Sequence, residues 1–329
     1  MLEENKLKRF FRNVLAAMLA LFLIMLGYTQ RAKKQYLQNG CVLSIFFHNP
    51  PRRLFLSCIK WLKKNGFYFI STQQLIDFLY LRTPLLPGAV WITFDDGWKN
   101  NLTQVMPTIK QYQIPITFFI PTGEIENGAF WFCEAIKHKN LLPEELQINP
   151  FEKLLQLTNH ERQRIINELY RNDDYTSPEN GEPFTLADIN ELAALPYIGF
   201  GSHTVNHVVT TNCAREELDF EIQKSRLVLE QWLGVEITAF AYPNGNYDGR
   251  EKAILQKYGY KIAATIEEHP VTYATDPFLV PRNCVLDDGS FAENLCHLLG
   301  VWTPFIIKLK RLTSWALNLP QSQQARTPY

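Results

Sequence analysis

From Cys41 onward the chain alternates short apolar runs with amphipathic stretches at helical spacing, and this alternation limits the folds open to it more than any other feature. Val42–Phe47 reads as a strand ending at His48. Phe55, Ile59 and Leu62 then mark one face of a helix that stops near Gly66. Phe67–Ile70 is the next strand, Ser71 can cap a helix over 72–81, and a turn over 84–88 leads into Ala89–Phe94, a buried strand ending at Asp95. The unit recurs through a helix over 102–112 and strands over 116–120 and 197–200. Leu218, Ile222, Leu229 and Leu233 line a further helix face, followed by a strand over 237–241, a helix over 250–258 and a strand over 260–265. Strands separated by helices predict a parallel sheet, open or closed into a barrel.

Three segments interrupt the pattern. Residues 124–196 are mostly helical in character, with amphipathic candidates over 144–157, 160–171 and 186–194 and a turn-rich stretch over 172–183, and they read as an insertion. Beyond Gly300, aromatic and aliphatic residues interleave with Lys308, Lys310 and Arg311. That pattern suits a helix lying in a membrane interface or packed on the domain. At the other end, Val14–Tyr28 is uncharged, and its fifteen residues reach about 22 Å as a helix, short of the roughly 30 Å hydrocarbon core. With basic residues before it and no small-x-small cleavage site after it, the segment is expected to be an uncleaved anchor; a buried helix is the alternative. The division expected is an anchor and linker over 1–40, a catalytic domain over 41–290 and an amphipathic tail over 291–329. Lys plus Arg and Asp plus Glu both number 33, so no global field favours nucleic acid. The six cysteines show no C-x-x-C or zinc-knuckle spacing and read as isolated thiols.

In a parallel α/β fold, functional groups gather where strands end at their carboxyl edge. Thr93-Phe-Asp-Asp-Gly-Trp places Asp95 and Asp96 there, with Gly97 permitting a tight turn; alone, such a run could simply cap the next helix. Gly201-Ser-His-Thr-Val-Asn-His follows another strand. On one helical turn His203 and His207 would face the same way, and a carboxylate from a second strand end would complete a two-His, one-carboxylate ligand set with open positions; the alternative is a pair of surface histidines. Such a set accepts zinc by default, and also cobalt, nickel or iron. Phe240-Ala-Tyr-Pro-Asn-Gly is a third strand running into a turn, which would set backbone amides and Tyr242 at the rim, or be an ordinary turn.

Taken in order, these three runs closely resemble the polysaccharide deacetylase family, the NodB-homology or carbohydrate esterase family 4 proteins. The resemblance extends over roughly 42–286 and includes Pro115-Ile-Thr-Phe-Phe-Ile-Pro-Thr, Phe130-Trp-Phe and Leu279-Val-Pro-Arg. It implies a deformed barrel of about seven or eight parallel strands and helices. It also implies Asp95 as general base and Asp96, His203 and His207 as metal ligands. Two features depart from the commonest pattern: Ala241 stands where many members carry an Arg that holds the base, and a late Leu-x-His that supplies the acid is missing. The chain looks more like the permuted branch resembling poly-N-acetylglucosamine deacetylases, in which the acid histidine comes from an N-terminal strand. Here that is His48, preceded by Phe47 where Tyr is usual. Arg282 is a candidate for the missing Arg function.

The resemblance implies a metal-dependent hydrolase that removes N-acetyl groups from amino sugars of a polysaccharide or oligosaccharide outside the cytoplasm. Tyr242 and Pro243 would serve the oxyanion or the substrate, and Trp98, Phe130, Trp131 and Tyr247 are candidates to stack on sugar rings. O-deacetylation, or a silent glycan-binding protein on the same barrel, are the alternatives.

Overall fold

A computed structural model describes residues 6–172 and 182–316. Eight strands form one sheet: β1 Leu43–Phe47, β2 Tyr68–Ile70, β3 Ala89–Asp95, β4 Ile116–Ile120, β5 Ile198–Ser202, β6 Ala239–Ala241, β7 Ile262–Ala264 and β8 Asn283–Cys284. They run in the order β7-β6-β5-β4-β3-β1-β8, every pairing being parallel. β2 pairs with residues 89–91 of β3 and β4 with residues 93–95, so these two share one edge of the central strand end to end. The sheet curls into a deformed half-barrel. Residues 280–284 bring its ends together, Val280 bridging to Ala264 on one side while β8 pairs with β1 on the other.

The two-residue period of β3 divides the core. Val90, Ile92 and Phe94 pack outward under the surrounding helices with Ile45, Phe47 and Phe118. Ala89 and Trp91 point into the barrel, where the small Ala239, Ala241 and Ala264 leave room for Trp91 and Phe119. The same parity carries Thr93 and Asp95 to the interior at the carboxyl edge. The helix Thr72–Tyr80, capped by Ser71 and Gln74 acting reciprocally, packs Leu75, Phe78 and Leu79 against this inner cluster.

The insertion is helical, with its own apolar cluster around Trp131, Leu154, Ile166 and Leu169. The helix expected over 144–157 is instead a short 3-10 turn, Glu144–Leu146, and a helix Pro150–Gln156, because Pro150 can only begin a helix. The turn-rich stretch over 172–183 lies largely outside the described residues. The six cysteines carry no disulfide.

The N-terminal segment differs from the single span expected of it. Helix Lys6–Met25 ends where Gly27 adopts φ 76°, and a second helix, Tyr28–Gln38, departs at a 61° bend. Among the described residues no single helix is long and apolar enough to cross a membrane; only this bent pair together has the length and composition. The first helix docks instead on the domain, burying Ala20 and Leu23, with the Cys296 thiol of helix Phe291–Leu298 against the Ala20 carbonyl at 3.8 Å.

Candidate active site

Parallel register decides which side chains meet. Phe47 lies opposite Phe94, so His48 leaves β1 level with Asp95, and residues 280–284 deliver Arg282 beside Asp95. The Arg282 guanidinium, fully buried, donates from Nη1 to Asp95 Oδ1 at 2.7 Å and from Nη2 to Asp95 Oδ2 at 2.8 Å. Its remaining donors reach Thr93 Oγ1 and the Thr265 carbonyl, and Phe46 and Phe119 flank the group with ring centroids 4.5 and 5.4 Å from Cζ. A bidentate, cation–π-supported pair of this kind fixes the carboxylate in both position and plane. Each carboxylate oxygen still has a second lone pair for a proton.

Asp96 turns the other way because its backbone adopts φ 71°, in the left-handed region, and Gly97 follows at φ 76°. At this φ a side chain would be strained, and a Cβ on Gly97 would also have to displace Ile120 Cδ1, 2.6 Å away. Asp96 faces two imidazoles: His203 Nε2 lies 3.6 Å and His207 Nε2 3.3 Å from its Oδ1. The three ligand atoms lie within 4.8 Å of one another, and all three residues are buried.

The histidines do not share a helical turn, contrary to expectation. His203 follows the end of β5, and the chain then loops with Thr204 at φ 66° and His207 at φ 45°. A β-branched residue at positive φ is strained, at a cost of order 1–3 kcal/mol. Several bonds hold it. The Thr204 carbonyl accepts from Thr122 N, its Oγ1 accepts from Val208 N, and Glu221 Oε2 accepts from both Val205 N and Asn206 N. Glu221 thus clamps the loop from the buried face of helix Arg215–Leu233. An acidic residue inside the apolar face marked by Leu218 and Ile222 is the signal by which the sequence could have exposed it.

The electrostatics suit a cation. Burial alone would push Asp96 upward, but His207, His48 and His203 outweigh it, so its carboxyl titrates below the usual range. Burial holds His203 down at about 4 although Asp95 and Asp96 lie near, which keeps the ring neutral. Its Nδ1 donates to the Ala241 carbonyl at 2.8 Å and so presents the Nε2 lone pair to the centre. Asp96 Oδ1 is buried without a hydrogen-bond partner. Two nitrogens and an oxygen at metal bond lengths of about 2.0–2.1 Å in a tetrahedron would sit ~3.3 Å apart, close to the separations found. The residues therefore fit a divalent ion.

Other expected site residues are placed differently. The Tyr242 amide is corrected as an oxyanion donor: it extends the sheet by donating to the Ala264 carbonyl at 3.1 Å, and the phenol donates to the Phe278 carbonyl. Pro243 is buried at the start of a single 3-10 turn, Pro243–Gly245. Trp98 donates from Nε1 to Asp96 Oδ2 at 3.0 Å, while its ring packs on Phe130 at 4.5 Å, so it positions the ligand carboxylate. Trp131 is buried under Arg162 and belongs to the core of the insertion. Phe132 comes forward in its place, its ring 5.4 Å from that of His207.

His48 sits beyond β1 with its carbonyl held by Asn101 Nδ2. Near it lies Asp287, within an Asp-Asp-Gly run whose residue types alone give no sign of a role. Asp287 accepts from Asn49 N, and burial raises its pKa to about 6 although His48 pulls the other way.

The family model for polysaccharide deacetylase matches residues 83–263. Poly-beta-1,6-N-acetyl-D-glucosamine N-deacetylase of Staphylococcus aureus is 24% identical over 290 residues, covering 85% of this chain and 82% of that protein. Among solved structures, the Streptococcus pyogenes deacetylase PplD in complex with acetate superposes with a TM-score of 0.58 at 20% identity, covering 79% of this chain and 98% of the other. IcaB from Ammonifex degensii follows with a TM-score of 0.56 at 18% identity, over 79% and 97%. The family match spans more than half of the sequence and contains Asp95, Asp96, His203 and His207: the chain belongs to the polysaccharide deacetylase family.

Proposed function

We propose that the chain removes N-acetyl groups from the amino sugars of a polysaccharide, using a divalent ion, by default zinc, at Asp96, His203 and His207. The observation that carries this reading is the pairing of a buried, incomplete ligand set with a fully hydrogen-bonded carboxylate, Asp95, next to it in sequence. A bound ion would supply Lewis acidity toward the acetyl carbonyl and the attacking water.

The chain's own groups do the rest. Asp95, held in plane by Arg282, takes the proton of the water as it attacks the acetyl carbon. His48, with Asp287 nearby, gives a proton to the departing nitrogen, so that acetate and a free amino sugar leave. Trp98 and Phe132 form the apolar wall on the Asp96 and His207 side, against which a pyranose ring can rest.

The Staphylococcus aureus relative is named for poly-β-1,6-N-acetylglucosamine, which makes that polymer the first substrate to test. With such a polymer as substrate, the proposal puts the catalytic domain at the cell surface or in the periplasm. Acetate release should be measured for the zinc-loaded wild type and for Asp95→Asn. A loss of about 10²–10⁴-fold is expected; equal rates would remove Asp95 from the reaction.

A further inference from the structure

Helix Lys6–Met25 is half docked and half bare. Ala20 and Leu23 are fully buried against the domain, yet Phe11, Leu15, Met18, Phe22 and Met25 form a stripe at spacings of four, three, four and three along the other side, with Leu15 68% and Met25 77% exposed. Apolar surface left continuous along a docked helix marks an interaction site. What covers it is indicated by charge. The paired helices over 6–38 contain Lys6, Lys8, Arg9, Arg12, Arg31, Lys33 and Lys34 and no acidic residue, although the whole chain balances 33 cations with 33 anions. A second copy of the same face laid parallel would bring Lys6, Lys8, Arg9 and Arg12 onto their counterparts. An anionic surface would not.

The C-terminal helix Trp302–Ala316 has the same composition. It carries Lys308, Lys310 and Arg311 with no acidic residue, exposes Ile307 and Leu309, and meets the junction of the N-terminal helices where the Phe305 ring lies 6.3 Å from that of Tyr28. At the other end of the stripe, Arg12 Nη2 bonds Asp288 Oδ2 at 3.0 Å, one residue from the Asp287 that lies near His48. The bare helix therefore starts at the rim of the catalytic site.

We propose that the exposed face of helix Lys6–Met25 is a monotopic docking surface for an anionic phospholipid leaflet: it lies in the headgroup boundary without crossing the bilayer and holds the catalytic rim beside the membrane. An amphipathic helix with a docked back, a bare apolar front and a cationic N-terminal end, followed beyond the bend by Arg31, Lys33 and Lys34, gains from acyl contact along its length and from anionic headgroups. Its length and its break at Gly27 suit lying flat.

The test is flotation of the full chain, its N-terminus verified by intact mass, with vesicles of phosphatidylcholine alone or mixed with phosphatidylglycerol. Binding to the mixed vesicles should exceed binding to the neutral ones about tenfold and should be released by alkaline carbonate. Leu15→Ser/Met18→Ser/Phe22→Ser should lose binding at least about tenfold while acetate release from a soluble oligosaccharide stays unchanged. Fluorescence quenching of the unaltered protein by brominated lipids should be seen as well, so the result does not depend on the variant folding. The proposal is overturned if the wild type ignores both vesicles, if the triple variant binds equally, if carbonate fails to release the protein, if the mature protein lacks residues 10–25, or if the stripe instead drives a dimer that the triple variant abolishes.

Discussion

The two halves of the catalytic rim are built on opposite terms. The strand-borne half, Asp95 on β3 and Arg282 at the closing segment, is fully buried and fully hydrogen-bonded in ordinary extended backbone. The loop-borne half, Asp96, His203 and His207, depends on positive φ at Asp96, Thr204 and His207 and leaves Asp96 Oδ1 and His207 Nδ1 without partners. A half already satisfied by the protein needs no ligand to be ordered. A half held at positive φ with the inward-facing Asp96 Oδ1 unpartnered stores strain and unspent charge until something cationic arrives, the usual arrangement where a metal is to be held by geometry.

The contrast can be broken from either side. The largest effect is expected from Arg282→Met, which strands the buried Asp95 carboxylate: about 3–5 kcal/mol of stability should be lost in urea unfolding. Adding Asp95→Asn should recover part of it, because the uncompensated charge is then gone. A single-variant loss below about 1 kcal/mol would mean that water replaces the guanidinium and the strand half is not self-sufficient. Glu221→Gln comes next. It removes acceptors from the loop that carries His207 and should weaken metal affinity about 10–100-fold in a competition titration, with the unfolding midpoint of the metal-free protein shifted less.

The remaining effect, read as a pH dependence at a single residue, lies behind the loop half, at Glu124. Burial raises its pKa from 4.5 to about 8, with Arg162 opposing. The folded protein therefore keeps a proton that the unfolded chain has released. That contribution to stability is complete below about pH 4.5 and is lost as pH rises through about 8. Glu124→Gln, neutral throughout, should flatten the dependence of the thermal midpoint on pH across this window; an unchanged slope would place the titration elsewhere.

The strand half was the more legible in sequence, for a physical reason. Apolar runs announce strands, strand ends announce the rim, and a period of two carries Asp95 inward. Positions on the loop half were legible as residue types, not as geometry, since spacing four suits a helical turn and a strained loop equally, and positive φ at Thr204 has no sequence signature. Glu221 was hidden within an apolar helix face and Asp287 within a turn. Tyr242 misled because a strand that continues one residue further uses the amide meant for an oxyanion. Hydropathy over 14–28 registered an apolar segment but could not see Gly27 ending the helix or Ala20 and Leu23 docking on helix Phe291–Leu298.

The division of labour rests on one quantity, metal content after zinc reconstitution and gel filtration, measured for the wild type, Asp95→Asn and His207→Ala. One equivalent is expected in the first two and a large loss in the third, because the ion belongs to the loop half alone. Full occupancy in His207→Ala, or loss of the metal in Asp95→Asn, would show that the ligand set has been wrongly assigned.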